Sequence, residues 1–322
     1  MSTLDFTTLD VFTSTPYAGN PLAVVKLPAS LAPSPTQDQK QAIAREFNLS
    51  ETLFLHERQA AQPDVPPEWR VDIFLTDMEI PFAGHPVIGA ACHVLGELAA
   101  AQDKAQTGSE VVRGKFQVKA GTIGLEYNVK NGEANASIPH NVRIHSNRPT
   151  SEAVFATQPA LQTHLQSSGR TMLQADLVSP VKGMSFLMVK LPSLEALETI
   201  KPYSGQLGME LDEGWGFGPF FSLYYVELPS TDGSDEVNLR TRMVNDAFED
   251  PATGSASCGL GAYLSLQRGD KAHTRKYNIV QGVEMGRRSE IGVEVTTTKE
   301  GRIDEIHLSG QAVQVMEGRL RY

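Results

Sequence analysis

Apolar and polar positions follow two rhythms along this chain. Residues 5–13 and 21–27 are apolar runs of strand length, and WRVDIFLT alternates residue by residue, as a strand with one buried face does. Between them, residues 36–48 (TQDQKQAIAREFN) bring Ala42, Ile43, Ala44 and Phe47 near one face of a helix, and SETLFLHE follows as a strand. Residues 86–100 are small and apolar throughout, the pattern of a helix buried on all sides. KFQVKAGTIGLEY reads as a hairpin turning near Ala120-Gly121. The Pro-, Gly- and polar-rich stretches ERQAAQPDVPPEW, AAQDKAQTGSEVV and STDGSDE read as surface loops.

The pattern then recurs. V-K-L-P stands at 25–28 and again at 189–192, Gly84 and Gly254 each open a small-residue helix (the second over residues 252–266), and I-G-L-E at 123–126 is echoed by I-G-V-E at 291–294. The offsets are 164, 170 and 168 residues, in order and near half the chain, which implies an internal duplication. Two lobes are therefore expected, one of residues 1–140 and one of 141–310, with the polar stretch 140–150 as the passage and residues 311–322 returning to complete the first. Equivalent helix starts facing one another across a cleft would be the natural place for a ligand.

Composition narrows the partners. With 28 basic and 38 acidic residues the net charge is −10, and no Lys/Arg run is concentrated enough to suggest nucleic acid or an anionic membrane. A small anionic substrate stays compatible, because helix N-termini bind anions through backbone N–H groups. Two cysteines, Cys92 and Cys258, imply no disulfide framework. MSTLDFTTLD has no secretory pattern and no apolar stretch is long enough to span a membrane, so a cytoplasmic location is expected.

Three segments could carry chemistry. Phe82-Ala83-Gly84-His85-Pro86 follows a strand and opens a helix, which puts His85 beside free N–H groups. A structural turn in which His85 merely caps explains the segment equally well. Glu249-Asp250-Pro251-Ala252-Thr253-Gly254-Ser255 opens the second small-residue helix, either as plain N-capping or as an anion cradle of N–H groups and hydroxyls. Asn48-Leu49-Ser50-Glu51-Thr52 enters an apolar strand. Buried there, Glu51 would have a raised pKa suited to taking and giving a proton, although a solvated turn glutamate is the commoner case. There is no phosphate loop, dinucleotide fingerprint, zinc spacing or nucleophile elbow, so neither metal nor organic cofactor is expected.

DVFTSTPYAGNPLAVV, AREFNLSETLFL, PFAGHPVIGAA and EDPATGSASCGLGAYL, with QGVEMGRRSEI as a weaker match, resemble the phenazine-biosynthesis isomerase (PhzF-like) family across essentially the whole chain. The resemblance implies an α+β fold of two pseudo-symmetric lobes, each a mixed β-sheet wrapped around a central helix, as in diaminopimelate epimerase. It implies Glu51 as catalytic acid/base, with His85, Asp250 and Ser255 as its catalytic partners, and Asn20, Gly84, Thr253 and Gly254 as substrate-binding residues. It further implies a cofactor-independent hydrogen shift on a small carboxylated molecule, and suggests a homodimer. RMVNDAFEDP departs from the family's R-x-F-A-P pattern before the Asp-Pro, and the loops at 57–69 and 101–113 match no motif, which leaves the substrate open. Two other readings compete. A thiol-pair epimerase is disfavoured because Cys92 lies eight residues past Gly84 and Cys258 only four past Gly254. A scaffold that has lost catalysis is disfavoured because the implied catalytic residues are all present.

Overall fold

The computed structural model describes residues 2–30, 33–58, 65–102, 110–203, 208–218, 221–230, 234–245 and 248–322. Parts of the loops singled out above (59–64, 103–109, 231–233) and two positions of the departing RMVNDAFEDP segment (246–247) lie outside the described residues. The chain forms two compact units, Met1–Ile138 with Leu308–Tyr322, and Pro139–His307.

The first unit contains β1 (Thr3–Val11), β2 (Asn20–Leu27), α1 (Gln37–Phe47), β3 (Thr52–His56), β4 (Glu68–Phe74), β5 (Glu79–Ile80), α2 (Gly84–Ala101), β6 (Val111–Val118), β7 (Gly121–Asn128) and β8 (Glu133–Ser137). The second contains β9 (Arg143–Ile144), α3 (Ser151–Thr157), α4 (Pro159–Ser167), β10 (Gln174–Val181), β11 (Met184–Lys190), α5 (Leu194–Glu198), β12 (Met209–Glu210), β13 (Phe217–Gly218), β14 (Phe221–Leu228), β15 (Val237–Val244), β16 (Glu249–Asp250), α6 (Gly254–Arg268), β17 (Thr274–Gln281) and β18 (Ser289–Thr297). The last strand, β19 (Ile303–Arg321), enters the first unit at Leu308.

In the first unit β1 pairs antiparallel with β2, β2 parallel with β3, β3 antiparallel with β4, β4 parallel with β6, β6 antiparallel with β7 and β7 antiparallel with β8. β19 pairs with both β8 and β1, so the strands close on themselves. α2 runs against their inner face. Its sequence fits that place: every residue from Gly84 to Cys92 is buried, and Val87, Ile88 and Leu95 are fully so. Each of those three contributes about 1.5–3 kcal/mol of burial free energy. The far end emerges, with Glu97 exposed and within reach of His93 and Lys26. Gly89 is where the enclosure is tightest. A Cβ there would stand 2.6 Å from Val11 Cγ2 and 2.8 Å from Leu22 Cδ2.

α1 lies on the outer face. Thr36 and Gln39 form a reciprocal capping box at its start, and Asn48, left-handed at φ 51°, ends it. Ile43 and Ala44 pack on Val25, Leu27, Phe54 and Phe74. The buried face differs from the sequence expectation: Lys40 is on it and Ala42 is exposed. The reason is Asp72, whose Oδ2 lies 2.6 Å from Lys40 Nζ and 2.8 Å from His56 Nε2. Burial alone would raise the Asp72 carboxyl, but hydrogen bonds from His56 and Lys40 hold it well below the usual carboxylate range.

The second unit repeats the strand order. β10–β11 antiparallel, β11–β14 parallel, β14–β15 antiparallel, β15–β17 parallel and β17–β18 antiparallel match β1–β2, β2–β3, β3–β4, β4–β6 and β6–β7. A short strand after a tight turn precedes the buried helix in both, with Leu75 N donating to Met78 O and Asn245 N to Phe248 O. Gly89→Ala is expected to destabilise the protein by about 1–3 kcal/mol, as overpacking does in a closed core. Urea unfolding of the purified variant measures it.

Candidate active site

The start of α2 holds the first group of residues. Asn48 turns the chain at the end of α1, so that Ser50 and Glu51 stand just before β3 rather than within it. The Glu51 side chain is 16% exposed, and its Oε2 lies 3.1 Å from His85 Nδ1, itself on a 4%-exposed ring. His85 is therefore paired with a carboxylate and is not simply a cap. Ala83, the N-cap residue, has no side chain able to cap, and no acidic residue occupies the first turn, so the positive end of α2 faces this pair without side-chain neutralisation. The Ser50 hydroxyl donates to Oδ1 of Asn20, a buried residue at the start of β2, at 3.5 Å. Asn20, Ser50, Glu51, Gly84 and His85 are thus gathered at one end of the first unit.

The Glu51 charge is the opposite of the sequence expectation. Burial is the largest single influence and does push its pKa up. The His85 charge and hydrogen bond, helped by Ser50, outweigh it, and the carboxyl titrates below its ordinary value. The imidazole is the main element that keeps the carboxyl ionised.

The start of α6 holds the second group. Asp250 is buried on β16, and Thr253 donates its hydroxyl to Asp250 Oδ2 at 2.5 Å. That contact replaces the expected cap, since Thr253 is the N-cap residue and makes no side-chain hydrogen bond to the helix. Gly254 is the first helical residue and Ser255, half-buried, the second. Sequence reasoning missed Gln281, whose fully buried amide donates to Asp250 O (2.8 Å) and Thr253 Oγ1 (3.1 Å) and accepts from Thr253 N and Thr241 Oγ1. It also missed Ser257, a buried hydroxyl on the first turns of α6, and the buried Arg242–Glu249 pair (2.7 Å) that braces β16.

Matching the two registers residue by residue exposes an asymmetry. Ile73 opposes Ile80 as Met243 opposes Asp250, and Thr52 opposes Phe74 as Ser222 opposes Val244. The β4–β6 register continued by one residue sets Val71 against Val118, where the second unit sets Thr241 against Gln281. Asp250, Thr253, Thr241, Gln281 and Ser257 therefore occupy the places of Ile80, Ala83, Val71, Val118 and Val87. Conversely, Glu51 and His85 occupy the places of Phe221 and Ser255. The polar groups differ between the two copies while the framework does not. An alignment of the halves is the signal that would have found Gln281.

Cys92 and Cys258 are 8% and 1% exposed, and burial pushes each thiol up to about 12. They stand opposite Ala262 and Ile88 in the two copies, not opposite each other. Among the described residues no cluster of three His, Cys, Asp or Glu side chains could hold a metal ion, and no helix is long and apolar enough to cross a membrane.

Comparison with known proteins agrees with this architecture. The sequence model of the family described as phenazine biosynthesis-like protein matches residues 9–318, and the chain belongs to that family. It is 30% identical to an uncharacterized isomerase of Mesorhizobium japonicum over 99% of both chains. It is 28% identical to the trans-2,3-dihydro-3-hydroxyanthranilate isomerase of Pseudomonas fluorescens, over 98% of this chain and 99% of that one. Among solved structures it is similar to a PhzF-family phenazine biosynthesis protein of Bacillus anthracis, with a TM-score of 0.71, 23% identity and 100% of each chain covered, a likeness of fold. The chain is an isomerase of this family.

Because burial and His85 pull on Glu51 in opposite directions, removing the imidazole reverses the sign. In the wild type the depressed pKa adds stability above the ordinary value of 4.5, and this is lost as the pH falls through the lower folded value. In His85→Gln the carboxyl is expected to titrate above 4.5, so that stability declines as the pH rises through the unfolded value instead. The 13C carboxyl resonance of Glu51, followed against pH in both proteins, checks the direction.

Proposed function

We propose that this isomerase moves a proton between carbon atoms of a small carboxylated substrate, with Glu51 as the sole acid/base and without metal or organic cofactor. The observation that carries the reading is the Glu51–His85 contact at the uncapped start of α2. An ionised carboxylate takes a proton from an acidic C–H. Protonated, it leaves the imidazole without its counter-charge, while burial now favours the neutral acid, so both environments are available to one group within a turnover. His85 and Asp250 orient the functional groups of the substrate. The N–H groups at Gly84 and Gly254, with Asn20, Thr253 and Ser255, bind its carboxylate and polar substituents.

The asymmetry supports a single shuttle over a two-base exchange. Glu51 has Phe221 at its counterpart position, and the second copy therefore offers no matching carboxylate. The thiols do not supply the pair either, since they are buried, non-equivalent and hard to ionise. The relatives named for trans-2,3-dihydro-3-hydroxyanthranilate make that compound the first probe.

In deuterated water the wild type is expected to exchange a carbon-bound hydrogen of this probe, or of a related cyclic carboxylate, as read by NMR. Glu51→Gln should lower the rate by about 10²–10⁴-fold. Exchange that survives this substitution would remove Glu51 from the mechanism. Cys92→Ser combined with Cys258→Ser should leave the rate within about threefold of wild type, and a loss of about 10²-fold or more would restore the thiol reading.

A further inference from the structure

We propose that Gln281 is a positioning residue whose amide sets the direction of the hydrogen bonds that reach Asp250, fixing that carboxylate as an acceptor for a hydroxyl or amino group of the substrate. The inference rests on the isomerase reading above for its role in turnover, whereas the bonds themselves belong to the fold.

The direction follows from two backbone groups. Asp250 C=O can only accept, and it lies 2.8 Å from one end of the amide, which must therefore be Nε2. Thr253 N–H can only donate, and it points at the other end, 3.4 Å away, which must be Oε1. The amide cannot turn over without losing both contacts. Nε2 also donates to Thr253 Oγ1 at 3.1 Å, which uses that oxygen as an acceptor. The one hydroxyl proton of Thr253 then goes to Asp250 Oδ2 at 2.5 Å. Thr241 closes the far side, 3.3 Å from Oε1.

Nothing in the fold requires this polarity. The same places in the first unit hold Val118, Val71, Ala83 and Ile80, and the strand pairing around them is the same. A fully buried amide in place of a valine carries a desolvation cost that only a complete set of partners offsets. Here the set is complete, and its output is the orientation of one carboxylate. The chain Gln281–Thr253–Asp250 thus makes Asp250 a receiver of hydrogen bonds, so the substrate group it meets is a donor.

The test uses the full chain. In the wild type without substrate, the Thr253 hydroxyl proton is expected as a slowly exchanging NMR resonance. Gln281→Leu combined with Thr241→Val recreates the apolar pair of the first unit, so the fold should survive, as judged by melting temperature and the remaining amide spectrum, while that resonance disappears. A Thr253 hydroxyl proton exchanging at the solvent rate in the wild type overturns the proposal whether or not the protein turns over substrate. With trans-2,3-dihydro-3-hydroxyanthranilate as probe, the double variant should lose about 10–100-fold in kcat, with KM changed by less than about threefold. Equal kcat in wild type and double variant overturns the positioning role. A wild type that leaves this probe untouched counts against the proposed reaction on that compound, and the hydrogen-bond lock is then decided by the hydroxyl resonance alone.

Discussion

Enclosing an α-helix within strands removes its solvent side, and much of this molecule follows from that constraint. A surface helix can cap its first turn with water or an exposed side chain, whereas one whose start is buried must find partners inside. α2 and α6 both begin with glycine, lack a side-chain cap and carry no acid in the first turn. What sits nearby is chemistry instead: a paired glutamate and histidine at α2, and an aspartate, threonine and glutamine network at α6. The small residues that let the helices be enclosed also keep large side chains away from these ends.

Two buried carboxylates in the first unit show how the same electrostatics serves different ends. Asp72 meets Lys40 and His56 within 2.8 Å, and a lysine does not readily give up its charge, so Asp72 stays ionised and clamps α1 to the sheet. Glu51 meets one histidine, His85, 3.1 Å away. Ser50 adds a smaller contribution that lowers the Glu51 pKa further. The two arrangements differ in their partners, a lysine and a histidine at Asp72 and one histidine with a serine at Glu51.

The features legible in the sequence were those set by local chemistry. The apolar face within residues 36–48 predicts α1, and the small apolar run 86–100 the enclosure of α2. Lys40 was not legible on the buried face because its partner, Asp72, arrives from a distant strand. The direction of the Glu51 pKa was missed for a related reason: burial was foreseeable from the apolar strand, but the balance depends on a 3.1 Å contact between residues 34 positions apart in sequence. Gln281 was visible only as part of a motif. Its significance appears when the register places it where the first unit has a valine.

That comparison also shows one framework carrying two different sets of polar side chains. A duplicated fold offers equivalent positions at each helix start. Here the counterparts have diverged in opposite senses. Glu51 stands where the other copy has Phe221, and Asp250 where the first copy has Ile80. Both carboxylates thus stand where the other copy has an apolar side chain, so packing does not account for either, whereas His85 answers to Ser255 and its position is polar in both copies. The carboxylate in contact with His85 stands at the start of α2, and the carboxylate that accepts from Thr253 at the start of α6. On the reading proposed above, proton transfer and substrate orientation fall to these two different groups.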